Sequence, residues 1–313
     1  MSVEVISVGR VNLDVILKVD KIPGPDQHIN SQDGYIAFGG SAANFATQSA
    51  KLGTRTGLLS CIGNDLYGQL VLKELSRIGV ETRFILALDH QSTGIFTYMY
   101  DNEGHDIVVV EPGANKFLEK QLLEESAVEG TRTIHIAGAF PMMAKRASEI
   151  ATVNGMVLSL DPGRAGSVLN YEEILPYTDL LFLNDKELKE YFHVGISESE
   201  LRTFAKSFPG VLVVKMGPRG AIATDGFDYY VSPAFDVTVA DTMGAGDAFA
   251  AGFVTAWTRS ENIEQALNMA NAVAAITITV RGAQEGQPTL EETMRFLSKH
   301  GVSTGAMQRT FRS

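Results

Sequence analysis

Two glycines and an aspartate near the carboxyl end of the sequence have the residue types to bind an anion and accept a proton. The stretch Asp241-Thr242-Met243-Gly244-Ala245-Gly246-Asp247 is followed by apolar residues at helical spacing, which predicts a buried helix that starts near Ala245. The backbone amides of Gly244, Ala245 and Gly246 would then lie at a helix start, where unpaired N–H groups favour an anion. Asp247 falls in the first helical turn, where its carboxylate could accept a proton or simply cap the helix. The first alternative is typical of phosphoryl transfer to a hydroxyl.

Polar and small residues near the amino end form a second candidate site. Asn12 and Asp14 follow a short β-rich run, and polar groups just beyond a strand lie where open α/β sheets bind ligands. A turn stabilised by these side chains is the alternative. Gly39 and Gly40 precede a small-residue helix that contains Asn44, and paired glycines allow a ligand to approach the backbone closely.

The elements that would position these residues alternate along the chain. Short apolar runs at 133–137, 156–160, 179–183 and 211–215 are bounded by turns and separated by helical-looking segments. This alternation predicts a mainly parallel sheet that is covered by helices on both faces. Since no linker, low-complexity tract or repeat is visible, we expect one domain over residues 1–313.

Composition excludes several classes of protein. The chain has 313 residues and a net charge of −11, which argues against a general nucleic-acid or membrane-surface binder. The single Cys61 excludes an internal disulfide and a cysteine-based zinc cage. Neither a signal peptide nor an apolar stretch of about 20 residues is visible. We therefore expect a cytoplasmic enzyme with a small-molecule substrate and no nucleic-acid or membrane partner.

Three motifs together resemble the PfkB/ribokinase family of sugar and nucleoside kinases. They are Gly39-Gly40-x-x-x-Asn44, Gly63-x-Asp65-x-x-Gly68 and Asp241-Thr242-x-Gly244-Ala245-Gly246-Asp247, in the expected order over essentially the whole chain. The resemblance implies a three-layer α/β/α ribokinase-like fold with a mainly parallel central sheet and a small β-sheet lid. The lid strands would come from about residues 12–38 and 93–110, and the lid would also form a homodimer contact, because exposed strand edges favour pairing.

The resemblance also assigns residues to ATP and to metal ions. It implies that Asn184 and Glu187 organise Mg²⁺ and phosphate, with Glu187 acting partly through water, although a capped helix start is the alternative reading. The implied nucleotide contacts are Lys215, Gly217, Gly220 and Asn271. Asp241 is implied to hold a monovalent cation such as K⁺, together with the backbone of Met243, which replaces a commoner hydroxyl residue.

The predicted activity is transfer of the γ-phosphate of MgATP to a hydroxyl of a small substrate. The acceptor would be oriented by Asn12, Asp14, Gly39, Gly40 and Asn44. Asp247 would accept the hydroxyl proton, while the amides of Gly244, Ala245 and Gly246 stabilise the charge on the transferred group.

The residues after the apolar run at 133–137 bear on the substrate. Ribokinase-like enzymes commonly place a carboxylate in this region, and Gly138-Ala139-Phe140-Pro141 has none. Phe140, Met142 and Met143 would instead form an apolar wall that suits a nucleobase, so we predict the 5'-hydroxyl of a nucleoside as the acceptor. A sugar kinase for ribose, fructose or 2-keto-3-deoxygluconate is the alternative. A non-catalytic sugar- or nucleoside-binding regulator is a third, although it would not need Asp247 as a proton acceptor.

Overall fold

The fold consists of one large sheet between two helical layers and one small sheet that stands off it. The computed structural model describes residues 2–120, 123, 128–305, 307 and 311. The strands are, in chain order, β1 (Val5–Gly9), β2 (Asn12–Lys18), β3 (Asp33–Gly39), β4 (Thr56–Gly63), β5 (Ile85–Leu88), β6 (Gly94–Tyr100), β7 (Asp106–Glu111), β8 (Thr133–Ala137), β9 (Val157–Asp161), β10 (Leu180–Asn184), β11 (Val211–Lys215), β12 (Ala221–Thr224) and β13 (Tyr229–Ser232). The α-helices are α1 (Ser41–Lys51), α2 (Leu66–Ile78), α3 (Pro141–Asn154), α4 (Tyr171–Ile174), α5 (Asp185–Phe192), α6 (Glu198–Ala205), α7 (Ala245–Ser260), α8 (Ile263–Thr277) and α9 (Leu290–Lys299).

The large sheet has the order β13-β12-β11-β10-β9-β8-β1-β4-β5. Its strands pair in parallel from β5 to β11. At the other edge, β12 pairs antiparallel with β11, and β13 pairs antiparallel with β12. The predicted mainly parallel sheet is therefore confirmed. The carboxyl ends of β1, β8, β9, β10 and β11 meet at one edge, where ligands bind in open α/β sheets.

Alternate residues of the central strands face two different cores. On β10, Leu181 and Leu183 pack with α3, α5 and α6, whereas Leu180 and Phe182 pack with α7 and α8. All four side chains are fully buried, as expected for a strand that is covered on both faces. The three-layer α/β/α architecture predicted by the resemblance is thus confirmed. Among the described residues, no helix combines the length and apolarity that a bilayer crossing needs.

The small sheet, which we call the lid, has the order β3-β2-β6-β7. It includes Asn12 and Asp14, which lie on β2 rather than in the turn that was the alternative interpretation of these residues. Strand β2 ends at Lys18 and β3 begins at Asp33, so residues 19–32 of the range from which lid strands were predicted lie outside these two strands.

The motif Gly63-x-Asp65-x-x-Gly68 joins the lid to the large sheet. Asp65 caps α2 by accepting a hydrogen bond from the Gly68 N–H, and it also accepts from the N–H and the hydroxyl of Thr93, just before β6. A Cβ on Gly68 would collide with the carbonyl oxygen of Gly63. The spacing of this motif therefore serves to anchor the lid.

Candidate active site

The turn at the start of α7, which we call the anion-binding turn, has the backbone geometry that suits an anion. Gly244 has a left-handed backbone with φ of 72°, and a Cβ there would collide with the carbonyl oxygen of Ala283. Among the described residues, the N–H groups of Gly244, Gly246 and Asp247 have no hydrogen-bond partner, whereas that of Ala245 donates to the Thr242 carbonyl oxygen at 3.3 Å. Unpaired N–H groups at the positive end of a 16-residue helix attract an anion. Two of the three predicted amides are therefore available in this arrangement.

Asp247 lies in the first turn of α7, and its side chain is partly exposed. It borders the space between the lid and the carboxyl edge of the large sheet, which we call the cleft. Its Oδ2 accepts a hydrogen bond of 2.8 Å from Asn44 Nδ2, so the start of α1 and the start of α7 meet at one carboxylate. Burial raises the pKa of Asp247 to about 7, while the hydrogen bond from Asn44 opposes the rise and Asp161 adds to it. A carboxylate with this pKa is suited to accept a proton near neutral pH.

Two glutamines hold Asn44 in place from behind. Gln284 Nε2 donates to Asn44 Oδ1 at 2.9 Å, and Gln287 Nε2 donates to the Asn44 carbonyl oxygen at 2.8 Å. Because Asn44 Oδ1 is occupied as an acceptor, its Nδ2 is left to donate to Asp247. The orientation of the Asn44 amide is therefore set by this hydrogen-bond network.

Asp14 presents an unsatisfied carboxylate oxygen to the same cleft. Its Oδ1 is buried and has no hydrogen-bond partner among the described residues, and such an atom is costly unless a ligand hydroxyl completes it. A Cβ on Gly39 would collide with this carboxylate, so the glycine makes room for it. Burial raises the pKa of Asp14 to about 7, with further contributions from the charges of Glu285 and Asp247.

Asn12 is held by a neighbour that the sequence did not identify. Asn115 Nδ2 donates to Asn12 Oδ1 at 2.9 Å and to the Val11 carbonyl oxygen at 3.0 Å. Asn12 Nδ2 is thus the group left to donate, and it has no hydrogen-bond partner among the described residues. Gly40, with φ of 92°, precedes α1, and a Cβ there would collide with the backbone at Arg10 and Val11. The predicted acceptor residues therefore lie together between the lid and the large sheet.

A lysine whose side chain is 17% exposed lies next to the anion-binding turn. Lys215 Nζ forms an ion pair of 2.5 Å with Asp161 Oδ2, and it lies 3.5 Å from the position that a Cβ on Gly246 would take. Burial lowers the pKa of Lys215, but the carboxylates of Asp161, Glu187 and Asp247 outweigh that effect and hold the pKa above its usual value. Lys215 is thus a permanent positive charge beside the anion-binding turn.

A cavity of about 510 Å³ extends from Lys215 along the edge of the large sheet. It is lined by the predicted residues Gly217, Gly220 and Asn271, and by the apolar side chains of Phe235, Val237, Phe249, Ala274 and Ile278. Asn271 Nδ2 donates to the Ser232 carbonyl oxygen at 2.9 Å, which fixes the side chain in the wall. Mostly apolar walls with a few fixed polar groups are typical of a nucleotide site.

Asn184 and Glu187 form a capping box at the start of α5. Asn184 Oδ1 accepts from the N–H groups of Lys186 and Glu187, and Glu187 Oε2 accepts from the Asn184 N–H. The cap that was the alternative interpretation is therefore present. Glu187 Oε1 has no hydrogen-bond partner in the described part of the chain, and Asp161 raises the pKa of Glu187 in addition to burial. Asp161 and Glu187 both lie near Lys215. Two such carboxylates fit a magnesium ion that keeps several of its waters.

Asp241 has three donors of its own. Its Oδ1 accepts from the Met243 N–H at 3.0 Å, and its Oδ2 accepts from the Gly282 N–H at 3.0 Å and from the Tyr35 hydroxyl at 3.2 Å. Burial raises the pKa of Tyr35, as does the neighbouring Asp241, so this hydroxyl remains a donor. A carboxylate has about four acceptor positions, so Asp241 Oδ1, which accepts from the Met243 N–H alone, keeps room for a cation, and the K⁺ site at Asp241 stays a prediction.

The apolar residues after β8 do not form the predicted wall. Met143 is 2% exposed and packs in the core with Phe140, whereas Met142 is 66% exposed. The guanidinium of Arg10 lies 5.6 Å from the centre of the Phe140 ring, and it forms no ion pair with the residues that the structure describes. Arg10 and Phe140 follow β1 and β8, well away from the nucleotide cavity along the sheet. A cationic group therefore lies where an apolar surface was expected.

Sequence patterns missed several residues of this site. Gln284, Gln287, Asn115 and Tyr35 act through side-chain contacts with residues about 100 to 240 positions away.

Comparison with known proteins gives one consistent result. Residues 3–290 match the family described as pfkB family carbohydrate kinase. The chain is 34% identical over 298 residues to an ATP-dependent ribose-1-phosphate kinase from Halopiger xanaduensis, covering 95% of this chain and 99% of that protein. It is 28% identical over 298 residues to a ribokinase from Haemophilus influenzae, covering 93% and 97%.

Solved structures agree with these relatives. The nucleoside kinase of Methanocaldococcus jannaschii, described as an archaeal member of the ribokinase family, has a TM-score of 0.85 at 26% identity, covering 95% of this chain and 98% of that one. A putative ribokinase II from E. coli in complex with ATP and Mg²⁺ has a TM-score of 0.82 at 27% identity, covering 96% and 100%.

Proposed function

From the premise that this chain belongs to the pfkB family of carbohydrate kinases, we propose that it phosphorylates the C5 hydroxyl of ribose 1-phosphate. In its broader class the protein is an ATP-dependent phosphotransferase that acts on a hydroxyl of a sugar or nucleoside. The observation that carries the reaction is the Asn44–Asp247 contact beside the unpaired amides of Gly244 and Gly246.

The acceptor is held by polar groups that are otherwise incomplete. Asp14 Oδ1 lacks a partner and accepts a hydrogen bond from a ribose hydroxyl, while Asn12 Nδ2 donates to a ribose oxygen. These contacts orient the C5 hydroxyl toward Asp247. Because the two groups are held in place, the reaction does not have to pay the entropic cost of bringing them together from solution.

Transfer then follows from the positions of three groups. The C5 oxygen forms a bond to the γ-phosphorus as the bond from that phosphorus to the bridging oxygen of ADP breaks. Asp247 accepts the hydroxyl proton, while Lys215 and the amides of Gly244 and Gly246 stabilise the charge on the transferred group. Ribose 1-phosphate thereby yields ribose 1,5-bisphosphate and ADP.

The cavity lined by Gly217, Gly220 and Asn271 holds the adenosine part of ATP in this proposal. Glu187 and Asp161 would hold Mg²⁺, directly or through water, and a bound Mg²⁺ neutralises charge on the phosphates. A K⁺ ion would be held by Asp241 Oδ1, which accepts from the Met243 N–H alone.

The choice of ribose 1-phosphate rests on Arg10. Its guanidinium has no carboxylate partner among the described residues and stacks near Phe140, at the acceptor end of the cleft. A guanidinium binds the phosphate on C1 through paired N–H groups, whereas an uncharged sugar makes less use of it. The relative from Halopiger xanaduensis carries the same substrate in its name.

A nucleoside is the second candidate, because the nucleoside kinase of Methanocaldococcus jannaschii has the same fold with a TM-score of 0.85 at 26% identity. Competing acceptors distinguish the two: ADP release with MgATP is measured against ribose 1-phosphate, ribose, adenosine, inosine and cytidine. The proposal expects the highest kcat/KM with ribose 1-phosphate, and a higher value with a nucleoside would replace it with the second candidate.

The lid supports a proposed homodimer. Strand β7 is a lid edge whose apolar residues Ile107, Val108, Val109 and Val110 are each 41–60% exposed. An exposed apolar edge strand is a liability unless another chain covers it. Sedimentation equilibrium tests this: a dimer that Val109→Lys converts to a monomer is expected, and a monomeric parent protein contradicts it.

A kinase that uses ATP and a phosphorylated sugar is expected in the cytoplasm.

A further inference from the structure

We propose that Tyr35 acts as a latch between the lid and the anion-binding turn, so that closure of the lid over the acceptor orders the turn that receives the transferred phosphoryl group. The proposal rests on the proposed kinase function and assigns a positioning residue to it. Tyr35 itself touches neither the acceptor residues nor the nucleotide cavity, and it acts through Asp241.

The lid side of the contact moves with the acceptor residues. Tyr35 lies on β3, where it pairs with Ile16 of β2, and the next positions along the same face pair Ala37 with Asp14 and Gly39 with Asn12. Paired residues of an antiparallel ladder point to the same face of the sheet. Tyr35, Asp14 and Asn12 are therefore on one face of one small sheet. If a ligand that binds Asp14 moves the lid toward the large sheet, Tyr35 moves with it.

The turn side of the contact lies three residues before Gly244. The Asp241 carboxylate accepts from Tyr35, from the Gly282 N–H and from the Met243 N–H, so it fixes the chain that leads into the turn. Removal of the Tyr35 hydroxyl leaves this carboxylate with two backbone donors and no link to the lid.

A second contact runs parallel to the first. Asp33, two residues before Tyr35 on β3, pairs with Arg281 at 2.7 Å, and Arg281 also donates to the Tyr100 hydroxyl at 3.3 Å. Both side chains of this ion pair are about half exposed, and exposed ion pairs contribute little. The contact between the lid and the loop therefore depends mainly on the partly buried hydrogen bond from Tyr35 to Asp241.

The interface between the lid and the loop at 239–243 is loosely packed. A cavity of about 290 Å³ separates the lid residues Ile16, Tyr35, Tyr98 and Tyr100 from the loop at 239–243. The two sides are thus joined by a few polar contacts rather than by a packed apolar core, and such an interface can have two arrangements of similar free energy.

Binding of two ligands measures the latch directly. If closure orders the turn, ribose 1-phosphate and the non-transferable analogue Mg·AMP-PNP must each tighten the binding of the other by one common factor. Isothermal titration of Mg·AMP-PNP is performed with and without saturating ribose 1-phosphate, and in a parallel series with adenosine, on the parent protein, Tyr35→Phe, Asp241→Asn and Tyr98→Phe. Tyr98 lies in the same row of the lid and forms no hydrogen bond to the loop in the described part of the chain, which makes it the matched control.

We expect a coupling factor of about 5 or more in the parent protein, which Tyr35→Phe and Asp241→Asn each reduce to near 1 and Tyr98→Phe preserves. The affinity of Tyr35→Phe for Mg·AMP-PNP alone should stay within about twofold, which a merely misfolded variant would not achieve. A double variant with both Tyr35→Phe and Asp241→Asn, titrated in the same way, should lose no more coupling than either single variant. Coupling that survives in Tyr35→Phe, or that is absent from a parent protein with measurable kinase activity, overturns the latch and leaves the proposed function standing. A parent protein that binds neither ligand overturns both.

Discussion

Asn44 and Asp247 lie 203 residues apart in the sequence and are joined by a hydrogen bond of 2.8 Å. The contact brings together the starts of α1 and α7, two helices that pack against each other. Each start is preceded by a glycine with positive φ, Gly40 and Gly244, so neither backbone tolerates a larger residue. The acceptor site and the anion-binding turn therefore have one shared point, and that point is the Asp247 carboxylate.

Asp247→Asn should abolish proton acceptance while it preserves the shape of the site. We expect kcat to fall about 100- to 10,000-fold, with acceptor affinity changed by less than about threefold. Steady-state ADP release and equilibrium binding of the acceptor measure the two quantities. Asp225→Asn, on an exposed turn far from the cleft, is the control. A variant with kcat within a few-fold of the parent would show that another group takes the proton.

Gln284 should influence turnover although it touches no substrate. Gln284→Glu replaces the amide that donates to Asn44 Oδ1 with an acceptor, which favours a flipped Asn44 whose oxygen faces Asp247. We expect kcat to fall by about tenfold or more, and Gln284→Leu, which removes the donor without adding charge, to lose less. The exposed Gln69→Glu is the control for charge. Equal activity of Gln284→Glu and Gln69→Glu would contradict the role of this network.

Arg10 should determine preference for a phosphorylated acceptor. Arg10→Gln is expected to raise KM for ribose 1-phosphate about 10- to 100-fold and to leave KM for ribose nearly unchanged, because only the phosphate needs the guanidinium. Arg55→Gln removes another exposed arginine, one that pairs with Glu4, and it should change neither value. A parallel rise of KM for both sugars would mean that Arg10 supports the structure of the cleft and does not read the phosphate.

The rate should depend on pH near neutrality. The pKa values of Asp14 and Asp247 are both raised to about 7, mainly by burial, so below this pH Asp247 is increasingly protonated and cannot accept a proton. We expect kcat/KM to rise about tenfold per pH unit on the acid side and to level off above about pH 7. A profile with no inflection between about pH 5 and pH 8 would contradict this assignment of the base.

The same carboxylates should lower stability at higher pH. Their native pKa values are raised, so the native state binds more protons than the unfolded state between about pH 4 and pH 7, and the free energy of unfolding falls as pH rises through this window. Asp247→Asn removes one of the two charges and should raise Tm by about 2 °C or more at about pH 8, with little effect at about pH 4. Scanning calorimetry at both values tests this, and an equal Tm difference at both would exclude the electrostatic cause.

Short sequence motifs predicted those parts of the site that are formed by residues close together in the sequence. The turn from Asp241 to Asp247 and the glycines before Asn44 are of this kind, because positive φ and close backbone approach require glycine at fixed spacing. The alternation of apolar runs likewise predicted the parallel sheet, since strands buried on both faces have few other solutions.

The sequence was less informative where a side chain's surroundings come from distant segments. Asp14 and Asn12 were expected in a turn or at a strand end, yet they lie within β2, because the face of that strand is turned to the cleft and tolerates polar residues. Phe140 and Met143 were assigned to a ligand wall and instead pack in the core, since apolar side chains suit both places equally. Gln284 and Tyr35 act across more than 200 residues, and no local spacing could have revealed them.

Asp247 is proposed to accept a proton from a sugar hydroxyl that attacks ATP, and identification of the products tests this claim. The reaction of ribose 1-phosphate with MgATP is followed by phosphorus NMR for the parent protein and for Asp247→Asn. We predict equimolar ADP and ribose 1,5-bisphosphate with the parent protein, and no new phosphate ester with the variant in the same time. Release of inorganic phosphate without any sugar or nucleoside phosphate from the parent protein, or an unchanged yield of ester from the variant, would contradict the claim.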